Sequence, residues 1–368
     1  MAQKTLSSAK KEKNDEFYTL MEDIENEISQ YDFSHFKNKV VYCNCDDPTW
    51  SNFFKFFIKW GRKLGIKEAV FTNYANKKRQ FKQLTLFEQD DLKESLEDDK
   101  KGTAHYWVYT PSDNKTIKKK LKGDGDFRSE ECIKFIEKTD IVVTNPPFSL
   151  FKEYLEQLVK YGKKFLIIGN PNAITYKEMF KLIKDDKVWL GYKELGKDTY
   201  FKIPPEYRER LLRENKEGSG YVIRNGEVLG RTMACWFTNL DIIKRHKPMV
   251  LHQQDLSQFT KYDNYDAIDV PQVKMIPDNY YGIMGVPITY LDKYCPEQFE
   301  IIGTADSKDN LPGMNKLGKD FINGYRSQGG TGHYSENMWG VSLIQDGKYK
   351  IVFKRLFIKR RSKNEIQC

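Results

Sequence analysis

Residues 140–151 read DIVVTNPPFSLF, and the change of character at their centre decides the fold. Ile141, Val142, Val143 and Thr144 form a short apolar run without polar alternation, the pattern of a strand buried on both faces in a parallel sheet. Two prolines follow, and neither can continue a strand ladder, because each lacks the N–H that the ladder uses. Something other than the sheet requires Asn145, Pro146, Pro147 and Phe148 there. In a doubly wound α/β sheet ligands bind at the carboxyl ends of the strands, which is where these four residues fall.

The surrounding sequence alternates as such a sheet demands. KVVYCN (39–44) reads as a strand, followed by WSNFFKFFIKWGRKLG (50–65), where Trp50, Phe53, Phe54, Phe57, Ile58, Gly61 and Leu64 recur at helical spacing. EAVFTNY (68–74) closes a βαβ unit, and HYWVYT (105–110) is strand-like. SEECIKFIEKTD (129–140) is a helix with Ser129 as N-cap and two glutamates in its first turn. After the central strand, Leu150, Tyr154, Leu155, Leu158 and Val159 share a helical face that Gly162 ends. KFLIIG (164–169) and KVWLGY (187–192) are further strands, with TYKE (175–178) at capping-box spacing between them. A helix is expected over FYTLMEDIENEISQY (17–31), and the charged stretch 75–101 reads as a surface excursion. The fold class is therefore α/β with a mostly parallel sheet covered on both faces. Residues 1–14 read as a basic tail and 15–245 as the main domain. Residues 246–368, irregular and rich in Tyr, Asp and Gly, read as a smaller mixed module ending in the basic strand KYKIVFKRLFIKRRSK (348–363).

Composition narrows the setting. The 368 residues carry a net charge of +9, which favours an anionic partner, nucleic acid above all. No run of about 18 apolar residues exists, which argues against a membrane span, and the basic start lacks the apolar core of a secretory signal. The six cysteines form no C-x-x-C pair, and Cys43 and Cys45 alternate along a strand rather than gripping one metal. No metal is expected, and a reducing cytoplasm is.

The prolines acquire a purpose if NPPF holds an aromatic amine. The lone pair of an exocyclic amine is delocalised into its ring. A carboxamide oxygen and a backbone carbonyl that each accept one N–H favour a pyramidal nitrogen whose lone pair faces an electrophile. Asn145 supplies the first acceptor and Pro146 the second, and the proline rings fix φ so that the carbonyl is preset. Phe148 offers a face for the base to stack on. Asn-Pro-Pro is also a common strand-ending turn, but its place at the end of an apolar strand favours chemistry.

NPPF is the motif of amino-methyltransferases, and far more of the chain resembles the EcoRI-type adenine-specific DNA methyltransferases. The resemblance runs in order through KNDEFYT (13–19), VVYCNCDDP (40–48), GDGDFRS (123–129), DIVVTNPPFSLFKEYL (140–155), KKFLIIGN (163–170), WFTNLD (236–241), KYDNYDAI (261–268) and GVPITYLDKYCPEQFE (285–300). It implies a Rossmann-like methyltransferase fold, S-adenosylmethionine as methyl donor, double-stranded DNA as substrate and an adenine flipped out of the duplex. It also implies roles for residues of this chain. Phe17, Tyr18 and Thr19 resemble the element over the methionine end of the cofactor, and Asp126 and Phe127 the site of its adenine ring. Asn44 and Asp46 fall in the loop after the first strand, where CNCDDP replaces the usual glycine-rich turn; Asp46 and Asp47 either hold the cofactor's ammonium or cap the next helix. The usual acidic residue after the second strand is missing, leaving only Asn73 and the ribose contacts open. In DTYFKIPPEY (198–207), Phe201 rather than Tyr200 is expected to face Phe148 across the flipped base. Lys10, Lys11, Lys13, Arg355, Lys359, Arg360 and Arg361 are candidates for phosphate contacts, against the alternative of a solvated charged face. The expected protein is a monomeric bacterial or phage enzyme, paired or not with a restriction endonuclease. Its rivals are methylation of cytosine N4, RNA or protein glutamine, and a DNA-binding relative without catalysis.

Overall fold

A computed structural model describes residues 18–45, 48, 51–75, 103–202, 221–224, 226–305, 311–352 and 355–362. The 1–14 tail and nearly all of the 75–101 stretch lie outside the described residues. The chain divides into two compact units, Met1–Ala173 with Leu190–Leu240, and Ile174–Trp189 with Asp241–Cys368.

The first unit opens with strand β1 (Tyr18–Thr19) and helix α1 (Met21–Ile28). The helix expected from Phe17 thus starts later, because Tyr18 and Thr19 pair with a distant strand instead. Then come β2 (Val40–Cys43), α2 (Asn52–Leu64), β3 (Glu68–Thr72), β4 (His105–Thr110), β5 (Lys115–Lys120), α3 (Glu130–Lys138), β6 (Ile141–Thr144), α4 (Phe151–Lys160) and β7 (Lys164–Gly169). The strands β8 (Trp189–Leu190), β9 (Asp198–Lys202), β10 (Tyr221–Arg224), β11 (Glu227–Met233) and β12 (Cys235–Thr238) complete it. An eight-stranded sheet runs β5-β4-β3-β2-β6-β7-β12-β8, and β1-β9-β11-β10 form a separate four-stranded sheet.

The parallel core is β3-β2-β6-β7. All four residues of β6 are buried, as their unbroken apolar run requires. The sheet is less uniformly parallel than alternation suggests: β4 turns back against β3, forms a hairpin with the lysine-rich β5, and β12 runs antiparallel to β7. Helix α2 begins where the Ser51 hydroxyl accepts from Phe53 N at 3.0 Å, a cap whose loss costs about 1 kcal/mol. It ends at Gly65, whose φ of 68° is open to glycine and strained for other residues. Phe53, Phe56, Phe57, Gly61 and Leu64 are its buried stripe, while Phe54 and Ile58 are only half-buried. Ser129 caps α3, accepting from Cys132 N at 3.2 Å. This is the Rossmann-like methyltransferase architecture, a large mixed sheet with a parallel centre.

In the second unit, α5 (Lys177–Lys184) has Tyr176 at its N-cap position, one residue after Thr175 of TYKE. Strands β13 (Ile268–Asp269), β14 (Ile283–Pro287), β15 (Phe299–Thr304) and β18 (Arg355–Arg360) form a sheet in the order β13-β14-β18-β15. Helix α6 (Lys319–Ser327) precedes the hairpin of β16 (Val341–Gln345) and β17 (Lys348–Val352). The single C-terminal strand expected over 348–363 is therefore two strands in two sheets. Tyr262, Leu311, Met314, Val341 and Phe357 belong to one buried cluster of this unit.

His246 clips this unit on its surface, with Nδ1 2.7 Å from Glu297 and Nε2 2.7 Å from Asp241. The hydrogen bonds to Asp241 and Glu297 raise its pKa above the usual 6.5. The clip's contribution is thus full below about pH 6.5 and fades as pH rises through the raised folded value. All three side chains are about half exposed, so it is worth at most about 1 kcal/mol. His246→Gln should lower Tm by a few degrees near pH 6, and that gap should shrink towards pH 8.5 in thermal melts.

Candidate active site

Four chain segments meet at the carboxyl ends of β2, β3 and β6, and short side chains fasten them. Asn44, which follows β2, is 2% exposed. Its backbone carbonyl accepts from Thr72 Oγ1 at the end of β3 (3.4 Å), and its side-chain Oδ1 accepts from the Tyr154 hydroxyl of α4. Cys45 N donates to Thr144 Oγ1, the last residue of β6, at 3.3 Å. The loop lacking the glycine-rich turn is thus held by side chains of three neighbouring elements.

The GDGDF segment packs on the same edge. Gly125 has φ +76°, and a Cβ there would lie 1.9 Å from the Asn73 carbonyl, so no other residue fits. Ala75 N donates to Asp124 O at 2.7 Å, fixing the turn to the end of β3. Phe127 is buried with its ring 5.2 Å from Tyr154, edge to face, and Gln157 Nε2 of α4 donates to its carbonyl at 3.0 Å. The Asp126 carboxylate accepts from Arg128 N, Nε and Nη2 at 2.7–2.9 Å, which fixes its direction.

After β6, Asn145 is half-buried and Pro146 buried. Pro147 closes a tight turn, its carbonyl accepting from Leu150 N at 3.0 Å, and α4 begins at Phe151. Phe148, at the start of that turn, stays half-buried. The prolines therefore convert the strand end into a rigid step between β6 and α4.

The FYT and DTYFK segments, 180 residues apart, are neighbours, since Thr19 pairs with Phe201 across β1 and β9. Asn52 Nδ2, at the start of α2, donates to Thr19 O at 2.7 Å and holds β1 to that helix. The 2%-exposed Glu27 carboxylate accepts from Tyr31 Oη, Tyr192 N and Lys193 N, fixing the chain just ahead of β9. The side chain of Phe201 is fully buried, whereas Tyr200 is half-buried with the Arg224 guanidinium 3.9 Å from its ring centre. Phe17 and Asp46 lie outside the described residues, and only the backbone of Tyr18 is described.

Thr19 Oγ1 and Asn44 Nδ2 are buried and have no hydrogen-bond partner among the described residues. Buried polar groups are nearly always paired, and both atoms can donate, so a ligand bearing acceptor oxygens, such as the carboxylate of an amino acid, fits them. Among the described residues no group of three or more His, Cys, Asp or Glu side chains could hold a metal ion, and no helix is long and apolar enough to cross a membrane.

The basic candidates are differently placed. Lys10, Lys11 and Lys13 lie outside the described residues. Lys359 is exposed, but Arg355 bonds Asp269 at 2.8 Å, Arg360 bonds the Asp278 carboxylate at 2.8 Å, and Arg361 donates to the Pro296 carbonyl at 2.7 Å.

A parallel-centred sheet with an NPPF step at the end of a central strand defines an amino-methyltransferase. The comparisons make this specific. The profile of the family described as "Adenine-specific methyltransferase EcoRI" matches residues 5–361. The type II methyltransferase M.EcoRI of Escherichia coli is 47% identical over 307 residues, covering 81% of this chain and 88% of that protein. M.MgeORF184P of Mycoplasma genitalium is 37% identical over 300 residues (80% and 84%), and M.MpnI of Mycoplasma pneumoniae 36% over 301 (80% and 83%). No solved structure matches the chain. The chain belongs to the EcoRI-type family and is a site-specific, adenine-specific DNA methyltransferase.

Sequence reasoning placed Tyr154 on a helical face without a role and passed over Thr72, Thr144, Asn52 and Glu27. A buried Tyr in an apolar stripe has a hydroxyl that needs a partner, and that was the available signal. Tyr154→Phe removes the hydroxyl donor of Asn44 Oδ1 and leaves it the long 3.7 Å contact from Cys45 Sγ; it should cost about 1 kcal/mol of stability and weaken S-adenosylmethionine binding several-fold, measured by calorimetry.

Proposed function

We propose that the chain uses S-adenosylmethionine to methylate N6 of an adenine flipped out of double-stranded DNA. The observation that carries this is the convergence of residues 44, 125–127 and 145–148 on one edge of the sheet, through the bonds of Tyr154 and Thr144, the packing of Phe127 on Tyr154 and the close approach of Gly125 to the Asn73 carbonyl, with Thr19 held beside the start of α2 by Asn52. S-adenosylmethionine, when bound, supplies a methyl carbon made electrophilic by its sulfonium. Thr19 and Asn44 would donate to its carboxylate, Asp126 would accept from its adenine amine, and Phe127 would flank the ring. Phe17, Tyr18 and Asp46 are assigned to the methionine end. At the target, Asn145 Oδ1 and the Pro146 carbonyl accept the two N6 hydrogens, turning the nitrogen lone pair outward for alkylation. The amine becomes acidic only as it is alkylated, so no side chain need deprotonate it first. Phe148 stacks on the flipped base. β9 is the proposed opposite wall, through Phe201, and the partly open ring of Tyr200 under Arg224 makes it the competing choice on the same strand.

The 246–368 module is assigned to target recognition, and Lys10, Lys11, Lys13, Lys359, Arg360 and Arg361 to the DNA backbone. The protein is read as a cytoplasmic bacterial or phage enzyme that acts as a monomer, with or without a cognate endonuclease. Incubation of unmethylated genomic DNA with protein and S-adenosylmethionine, followed by methylation-sensitive single-molecule sequencing, should reveal N6-methyladenine at one recurring motif. Marks on cytosine, or none, would refute the reading.

Asn145→Ala should reduce methylation by at least about a hundredfold, since it removes an acceptor used as charge develops, while duplex affinity in gel-shift titration changes little. Phe201→Ala should lower turnover more than duplex affinity. Were Tyr200→Ala to do so instead, the stacking wall would pass to Tyr200.

A further inference from the structure

The second unit contains a half-open cleft of about 470 Å³, within the roughly 300–1,000 Å³ usual for ligand sites. It is lined by Leu343 and Val352, by Arg355 with Asp269, and by the exposed side chains of Gln258, Gln345 and Lys350. NPPF accounts for one adenine only. A site-specific enzyme must read the neighbouring bases too, and that needs side chains with fixed donor and acceptor directions.

Arg355 has such a direction. Its Nε and Nη2 bond the Asp269 carboxylate at 2.8 and 3.3 Å, and Asp269 is itself held by the Tyr262 hydroxyl at 2.6 Å. The guanidinium is therefore locked in plane, and among the described residues Nη1 makes no hydrogen bond. The two glutamines are each held by one end of the amide: Gln258 donates Nε2 to Gln254 and Gln345 accepts from Lys350, both at 3.3 Å. An acceptor on Gln258 and a donor on Gln345 remain. Arginine and glutamine are the side chains that best match guanine and adenine edges in the major groove.

We propose that this cleft reads base edges of duplex DNA, with Arg355, Gln258 and Gln345 setting which sequence is methylated. The inference rests on the reading of the chain as a DNA adenine methyltransferase. It reassigns Arg355 from the phosphate backbone to a base. The Asp269 carboxylate lining the cleft disfavours a phosphate, which offers acceptors alone, but suits a base edge that offers both acceptors and amino donors.

The test compares wild type with Arg355→Lys, Gln258→Ala and Gln345→Ala, using methylation sequencing of genomic DNA and competition between a cognate duplex and single-mismatch duplexes at several salt concentrations. Arg355→Lys keeps a cation opposite Asp269, and the two glutamines are exposed, so folding is protected. The expected result is a motif that broadens at one or two positions. Discrimination against the mismatched base should fall by about five- to a hundredfold, with an unchanged salt slope. A motif unchanged in all three variants overturns the proposal. So does a uniform loss across all sequences with the salt slope reduced by about one, the signature of a phosphate contact. Failure of the wild type to methylate DNA would refute the underlying reading; wild-type methylation with unmoved variant motifs would refute this inference alone.

Discussion

The active-site edge depends on one hydrogen bond in which the Tyr154 hydroxyl donates to Asn44 Oδ1. It joins the helix launched by NPPF to the loop that follows β2. Both partners are almost wholly buried, so neither can exchange the other for water. With that bond made, Phe127 has a ring edge to pack on, Gln157 is brought to the GDGDF turn, and the Asn44 amide nitrogen is left as a donor for a ligand. Many methyltransferases use bare backbone at this loop; here side chains do the fastening. The missing glycines are thus a different solution to the same problem of holding a loop still.

Burial grades the residues of this edge. Phe127 and Pro146 are buried, while Asn145, Phe148 and Asp126 are half-buried. Glu27 is buried although charged. Its carboxylate takes three donors, two of them backbone amides ahead of β9, which offsets the desolvation that a lone buried carboxylate would suffer.

Much of this was legible in the sequence, for physical reasons. Unbroken apolar runs report strands buried on both faces, so β2, β3, β6 and β7 could be read directly, and the proline pair marked where β6 ends. Helix α2 was legible in extent, but its buried stripe includes Phe56, because position within an aromatic-rich helix depends on where the sheet lies. The strand at Tyr18–Thr19 was hidden because its partner β9 lies 180 residues away, and local propensity carries no trace of such a pairing. The β4–β5 hairpin was hidden because β5 is mostly lysine, which signals solvent rather than strand. The partners of Arg355 and Arg360 were illegible for a related reason: a run of basic residues looks the same whether its charges face water or carboxylates of the same unit.

That lysine strand has a consequence for how copies of the protein meet. β5 is the last strand of the eight-stranded sheet, and its outer edge would otherwise be a template for strand addition. In a symmetric antiparallel pairing of KTIKKK with itself, four lysines from each copy would line one seam, with Lys115 facing Lys120 at both ends. Like charges facing one another across strands disfavour such pairing. Among the described residues the sheet ends at this lysine-rich strand, whose charge disfavours the addition of a second copy.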